Sequence, residues 1–192
     1  MKVICISSHA RHGKDTVSQI TRKALLGYGQ RVLVIHNADL LKFMCKQLFS
    51  WDGNKDEHGR TLLQYVGTDV VRNKKPNFWI DFIAEVLELF NGEWDYVLIP
   101  DCRFPNEVDV LKDRGFDVIH VSVMRDNYDN GLTEEQRSHP SETALDDVTP
   151  DVLLHNAGSI VDLTREVLKF IVPLYETGEV KNDGNWYPKS IA

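Results

Sequence analysis

An α/β fold, with a five-stranded parallel sheet covered by helices on both faces, is predicted by three observations. Short apolar runs alternate with segments of helical period, the arrangement that crossover connections between parallel strands require. The first run, Val3-Ile4-Cys5-Ile6, is apolar at every position, as in a strand buried on both faces. It leads at once into a glycine-containing turn and then into a helical pattern.

The expected strands are Val3 to Ser7, Val32 to His36, Tyr96 to Pro100, Val118 to Val123 and Val152 to His155. Helical spacing relates Val17, Ile20, Thr21, Ala24 and Leu25, then Phe82, Ile83, Val86, Leu87 and Phe90, then Ile160, Leu163, Val167, Ile171 and Leu174. These stripes are core-facing and carry no chemistry. Residues 38–75 are too many for a simple crossover, so a helical insertion beside the sheet is expected there. Residues 125–148 are polar with both signs of charge, which suits a mobile lid. The tail, 177–192, is polar and has no legible role.

A length of 192 residues suits one domain, and 42% hydrophobic with 27% charged residues is an ordinary globular composition. The net charge of -7 argues against a surface that coats nucleic acid, so a small substrate is expected. Cys5, Cys45 and Cys102 are too few and too apolar in context for a disulfide framework or a zinc site. No stretch approaches the roughly eighteen apolar residues of a membrane span, and no leader pattern opens the chain, so a cytoplasmic protein without membrane contact is expected.

Ser8-His9-Ala10-Arg11-His12-Gly13-Lys14-Asp15-Thr16 reads as a phosphate-binding loop. A strand that ends in such a turn and feeds a helix aims backbone N–H groups and the helix's positive end at one spot. Lys14 adds a flexible positive charge. The match to G-x-x-x-x-G-K-[ST] is imperfect, since Ser8 replaces the first glycine and Asp15 the magnesium-binding hydroxyl, while Thr16 keeps a hydroxyl one residue on. The bland reading is a strand-to-helix turn with a solvated lysine.

Asp101, at the end of the Tyr96 strand, falls where open parallel sheets bind ligands and is a candidate to hold hydrated magnesium. Arg103 is placed to fork onto a phosphate. The structural reading pairs the two with each other and with a helix starting near Pro105, where proline is favoured.

Gly13-Lys14-Asp15-Thr16, Asn37 to Lys42, Leu63 to Asp69 ending in Arg72, Asp101 to Glu107, and Ser138-His139-Pro140-Ser141-Glu142 occur in an order that resembles phage-type deoxynucleoside monophosphate kinases. The resemblance spans most of residues 1–170. It implies the three-layer P-loop nucleotide kinase fold over residues 1–192, with 38–75 as acceptor-binding insertion and 125–148 as lid. It also removes the objection to Asp15, because Gly-Lys-Asp-Thr is the form that resembles these enzymes; Ser8 stays unexplained.

The resemblance implies ATP and Mg2+ as cofactors and phosphoryl transfer to a deoxynucleoside or ribonucleoside monophosphate. His9, Ala10, Arg11, His12, Gly13, Lys14, Asp15 and Thr16 would cradle the donor phosphates, with Asp15 or Asp101 reaching the metal through water. Asp39, Lys42, Arg72, Asp101 and Arg103 would face the acceptor, although Asp39 also suits a helix cap, Lys42 a solvated face and Arg72 a helix C-terminus. Arg103, Arg125 and Arg137 would neutralise the phosphoryl group in flight, with loop solubility the rival role for Arg137. His139 reads as structural, and Ser141-Glu142 as a helix start. Asn156 lies where related kinases approach adenine and equally suits a turn.

Dephospho-CoA and phosphomevalonate remain alternative acceptors, and a non-catalytic ATP-binding protein is the alternative outside enzymes. The preferred base is not legible, and neither is the oligomeric state, which leaves a homodimer open.

Overall fold

The computed structural model describes residues 1–54, 56–126 and 128–179, so most of the polar tail lies outside the described residues. Five strands, β1 (Lys2–Ser7), β2 (Val32–Val34), β3 (Tyr96–Cys102), β4 (Asp117–Met124) and β5 (Val152–His155), form one sheet in the order β2-β3-β1-β4-β5. Every pairing is parallel. The helices are α1 (Lys14–Gly27), α2 (Ala38–Leu48), α3 (Glu57–Gln64), α4 (Phe78–Leu89), α5 (Pro105–Asp113), α6 (Glu134–Arg137), α7 (Pro140–Thr143) and α8 (Ile160–Thr177), and a π-helix, Tyr65–Arg72, continues α3. Among the described residues no helix is long and apolar enough to cross a membrane.

Because side chains alternate along a strand, each central strand feeds two cores. Ile4, Ile6 and Leu98 pack with Val17 and Leu25 of α1 and with Val167, Phe170, Ile171 and Leu174 of α8. Val3, Cys5, Val97 and Ile99 pack on the other face with Ile80, Ile83 and Leu87 of α4 and Leu111 of α5. Three layers result, as expected, and all three cysteines are free and buried.

The strand ends differ from expectation in an informative way. β2 stops at Val34 because it is an edge strand paired only with β3, and the His36 N–H is taken by the Asp39 carboxylate at 3.0 Å, which turns the chain into α2. β3 runs on to Cys102, and Ser7 stands opposite Cys102 in the parallel ladder. The ends of β1 and β3 therefore emerge side by side, at the point where the chain order of the sheet reverses.

Residues 38–75, expected as an insertion, contribute Leu41, Cys45, Trp51 and Val66 to a small core that Trp79 of α4 completes. A helical insertion is expected here, but not its winding: residues 65–72 adopt the wider π form, which is uncommon and is frequent at functional sites. Gly67 lies inside it. A Cβ there would come within 2.7 Å of Leu41 Cδ2, and the Gly67 carbonyl accepts from the Trp79 indole at 3.0 Å. A larger residue would force the Leu41 side chain to shift.

β1 and β4 also share a buried polar contact, Ser7 Oγ to His120 Nε2 at 2.8 Å, with the His120 N–H donated to Asp151 at 2.8 Å. Burial lowers the His120 pKa from its ordinary 6.5, against the pull of Asp151 and with a small push from Lys112. The unfolded chain thus binds the proton more readily than the folded one. The contribution of neutral His120 is complete above about pH 6.5 and is lost progressively as the pH falls below that value and through the lower pKa of the folded state. The urea midpoint should therefore fall between pH 7.5 and 5.5, and a His120→Gln variant should show a shallower fall over that interval.

Candidate active site

Residues 8–16 leave the end of β1 and enter α1, and two left-handed residues curl them into a concavity. Arg11 has φ 64° and Gly13 φ 105°. For Arg11 this is a strained conformation, held by its guanidinium donating to the Asn130 carbonyl at 2.8 Å. At Gly13 a Cβ would come within 2.6 Å of Asn156 Nδ2, whose N–H donates to the His12 carbonyl at 2.9 Å. Asn156 thus clamps the loop from the end of β5, a contact that neither the turn reading nor the adenine reading of this residue included. Ser8 is outside the positive-φ residues and spends its hydroxyl on the His9 carbonyl at 2.8 Å, so the backbone there has no need of glycine's freedom.

Lys14 is the first residue of α1, and its side chain is only 16% exposed, with Nζ 4.0 Å from the Asp15 carboxylate. Asp15 points outward, 72% exposed, in the first turn of α1, where a negative group is favourable. Thr16 is half-buried behind it. His12 is buried, and its Nδ1 accepts the Arg125 N–H at 3.1 Å. Burial, helped by neighbouring His9 and Arg125, lowers its pKa, so His12 is a neutral fixture of the loop. His9 reaches the lid, with Nε2 3.2 Å from Asp146.

The side chains of Arg125 and Arg137, expected on a lid, are held by partners within residues 125–148. The Arg125 guanidinium lies 4.0 Å over the Tyr128 ring, and exposed Arg137 pairs with Asp129 at 2.7 Å. Arg137 also lines a cavity of about 260 Å³ with His9, His12 and Tyr128, on the lid side of the loop.

A second cavity, of about 300 Å³, opens beside Ala10 between α2, the π-helix and the start of α5. Lys42, Arg72, Asp101 and Arg103 line it, joined by Gln64 and Thr68. Asp39 does not. Its carboxylate pairs with His36 at 3.2 Å and with Lys42 at 3.0 Å, so it bears on the cavity through Lys42. Asp101, expected near a metal, gives one oxygen to the Asn37 N–H at 2.8 Å and the other to the Ala38 N–H at 3.0 Å. In this structure it anchors the first turn of α2 to the end of β3, which satisfies amides that a helix start leaves unpaired.

Two carboxylates organise the cavity's cations. Glu107 is buried, accepts Arg72 Nη2 at 2.5 Å, and takes the Arg103 and Phe104 N–H groups at 2.7 and 3.2 Å. Arg72 also donates to Asn106 Oδ1 at 3.2 Å and stacks 3.8 Å over Phe104. Burial raises the Glu107 pKa, and Arg72 opposes the rise. Glu142, from α7, accepts the Ala10 N–H at 2.8 Å with one oxygen and pairs with Arg103 through the other. Arg103 further donates to the Ser141 carbonyl at 2.8 Å.

Neither glutamate carries a binding role in the sequence reading, which takes Ser141-Glu142 only as a helix start. Glu107 had a local signal, since a glutamate three residues into a helix folds back onto the N-cap N–H. Glu142 had none, its partners lying 39 and 132 residues away. Glu107→Ala would leave Arg72 uncompensated and two N–H groups bare. It should lower stability by about 3–5 kcal/mol in urea unfolding, whereas Glu107→Gln, which still accepts hydrogen bonds, should recover part of the loss.

Comparison with known proteins bears on this site. The family described as deoxynucleotide monophosphate kinase matches residues 37–167, which include the π-helix, the Asp101–Glu107 turn and Glu142 and begin downstream of the loop. The deoxynucleotide monophosphate kinase of Enterobacteria phage T4 is 32% identical over 110 residues, 56% of this chain and 43% of the relative. That of Escherichia phage RB69 is 29% identical over 114 residues, 58% and 44% of the two chains. The matches thus span less than half the length of these relatives. Among solved structures, the Mycobacterium tuberculosis APS kinase CysC in complex with AMPPNP and APS superposes with a TM-score of 0.50 at 16% identity, covering 89% of this chain and 96% of that one, a likeness of fold. With the three-layer P-loop kinase fold and a family match over more than half its length, the chain belongs to the deoxynucleotide monophosphate kinase family.

Proposed function

We propose that the chain transfers the terminal phosphoryl group of ATP to a nucleoside monophosphate, preferentially a deoxynucleotide, giving ADP and the diphosphate. The observation that carries this reading is the meeting of loop and cavity. Ala10 of the phosphate loop lines the cavity that holds Lys42, Arg72 and Arg103, so a phosphate on the loop and a phosphate in the cavity would face each other. The family match supports the choice of acceptor over dephospho-CoA or phosphomevalonate.

In the reaction an oxygen of the acceptor phosphate attacks the terminal phosphorus of ATP, and the bond to the bridging oxygen breaks to release ADP. Most of the catalysis is positioning and charge neutralisation. The N–H groups of residues 9–16 and the positive end of α1 hold the donor phosphates, and Lys14 follows the charge that develops on the bridging and terminal oxygens. Arg72 and Arg103 orient the acceptor, and Lys42 adds charge at the cavity wall. Arg125 and Arg137 serve the lid when it closes over the nucleotide. Among the described residues no three His, Cys, Asp or Glu side chains cluster as a metal site. A magnesium ion would be carried largely by the phosphates, with exposed Asp15 the carboxylate best placed to hold its water.

A coupled ADP-release assay with ATP, magnesium and each deoxy- and ribonucleoside monophosphate tests the reading. Turnover with at least one deoxynucleotide is expected. ATP binding without turnover on any acceptor would favour a binding protein instead. Lys14→Ala should lower kcat by about a hundredfold or more with an unchanged thermal midpoint, because its charge matters most in the transition state. Arg103→Ala should act mainly on the acceptor, raising its KM by about tenfold; unchanged acceptor kinetics would return Arg103 to a structural role.

A further inference from the structure

Glu142 occupies an unusual position. Its side chain is 9% exposed, and its two oxygens join groups from opposite sides of the site, the Ala10 N–H of the phosphate loop and the Arg103 guanidinium of the cavity wall. An anionic group with one oxygen on a loop amide and the other on an arginine has the surroundings of a phosphoryl group in transit. Ala10 is the one residue of the loop 8–16 that lines the cavity. The phosphate that reaches its N–H is therefore the one facing the acceptor, the terminal phosphate, and not those nearer the start of α1.

We propose that Glu142 is a positioning residue that stands in for the transferring phosphoryl group. In the nucleotide-free protein it pairs Arg103 and caps the Ala10 amide, and the terminal phosphate of ATP displaces it from both. This rests on the reading of residues 8–16 as a donor-phosphate loop.

The chemistry requires an exchange. The carboxylate and the terminal phosphate are both negative, and two like charges within about 4 Å in a partly buried site repel strongly. They also compete for the same N–H and the same guanidinium. ADP has no terminal phosphate to place at Ala10, so it can bind with Glu142 in its seat. ATP can bind fully only after Glu142 has left, and that departure frees Arg103 from its carboxylate as the transferring group arrives. Because Glu142 belongs to α7 and Arg103 also bonds the Ser141 carbonyl, the exchange loosens the lid segment where the acceptor must enter. The empty site is thereby kept satisfied, and its arginine is released when a triphosphate is present.

The test is the ratio of affinities for ATP and ADP, measured by calorimetry with magnesium and no acceptor, on the wild-type chain, Glu142→Gln and Glu142→Ala. Glu142→Gln keeps the size of the side chain and one accepting oxygen, for either Ala10 or Arg103, while removing the charge, which guards against a variant that merely misfolds. The expected result is ATP affinity rising about tenfold relative to ADP in Glu142→Gln, with the same direction in Glu142→Ala. A ratio unchanged from wild type, or equal weakening of both nucleotides, overturns the proposal and leaves Glu142 a structural tie between lid and loop. Failure of the wild-type chain to bind either nucleotide overturns the reading of the loop itself, and the proposal with it.

Discussion

The pairing of β1 with β3 is the constraint on which the site depends. Once Ser7 stands opposite Cys102, the phosphate loop and the Asp101–Glu107 turn leave the sheet at adjacent points and in the same direction. Every later contact follows from this: Asp101 can reach the first amides of α2, Glu107 can reach Arg72 from the π-helix, and Arg103 can face the loop. An open parallel sheet forms its crevice where neighbouring connections diverge, and β1 and β3 are the strands at that divergence.

Within the crevice, charge is arranged by two carboxylates, buried Glu107 and largely covered Glu142. Glu107 is buried with an arginine and two backbone N–H groups, so its ionised form is compensated on both oxygens. Such a pair adds little net stability over an apolar substitute, because desolvating both ions offsets their attraction. Its value is geometric. It sets the plane of the Arg72 guanidinium, already pressed on Phe104, and fixes the Arg103–Phe104 backbone, so that both cations present to the cavity with few rotamers to lose on binding. Glu142 works differently, since it reaches across the site from a short lid helix and holds groups that a phosphate would want.

Much of the fold was legible in residues. The five strands and the main helices appear where apolar runs and helical period put them, because burial on both faces of a parallel sheet writes an uninterrupted apolar run at Val3–Ile6 and Tyr96–Ile99. The ends were less legible: β2 shortens because the Asp39 carboxylate captures the His36 amide, a side-chain event that periodicity does not encode. The π form of residues 65–72 was hidden for a similar reason, since its apolar spacing resembles that of an α-helix until Gly67 is seen against Leu41.

Of the site, the sequence by itself determined the chemistry that recurs locally: a strand, a turn with Gly13 and Lys14, and a helix whose start attracts phosphate. It also supplied three of the cations that line the cavity, Lys42, Arg72 and Arg103, but not Arg60. Only the tertiary structure decided what those groups do when no ligand is bound. Asp101 is a helix anchor, Asn156 a loop clamp, and Arg125 a partner of Tyr128, while Glu142 fills the place between Ala10 and Arg103. The physical reason is separation along the chain. A motif records what a few neighbouring residues can do, but the partner of a charged group in a crevice is chosen by packing among segments 35 to 132 residues apart, and no local pattern carries that choice.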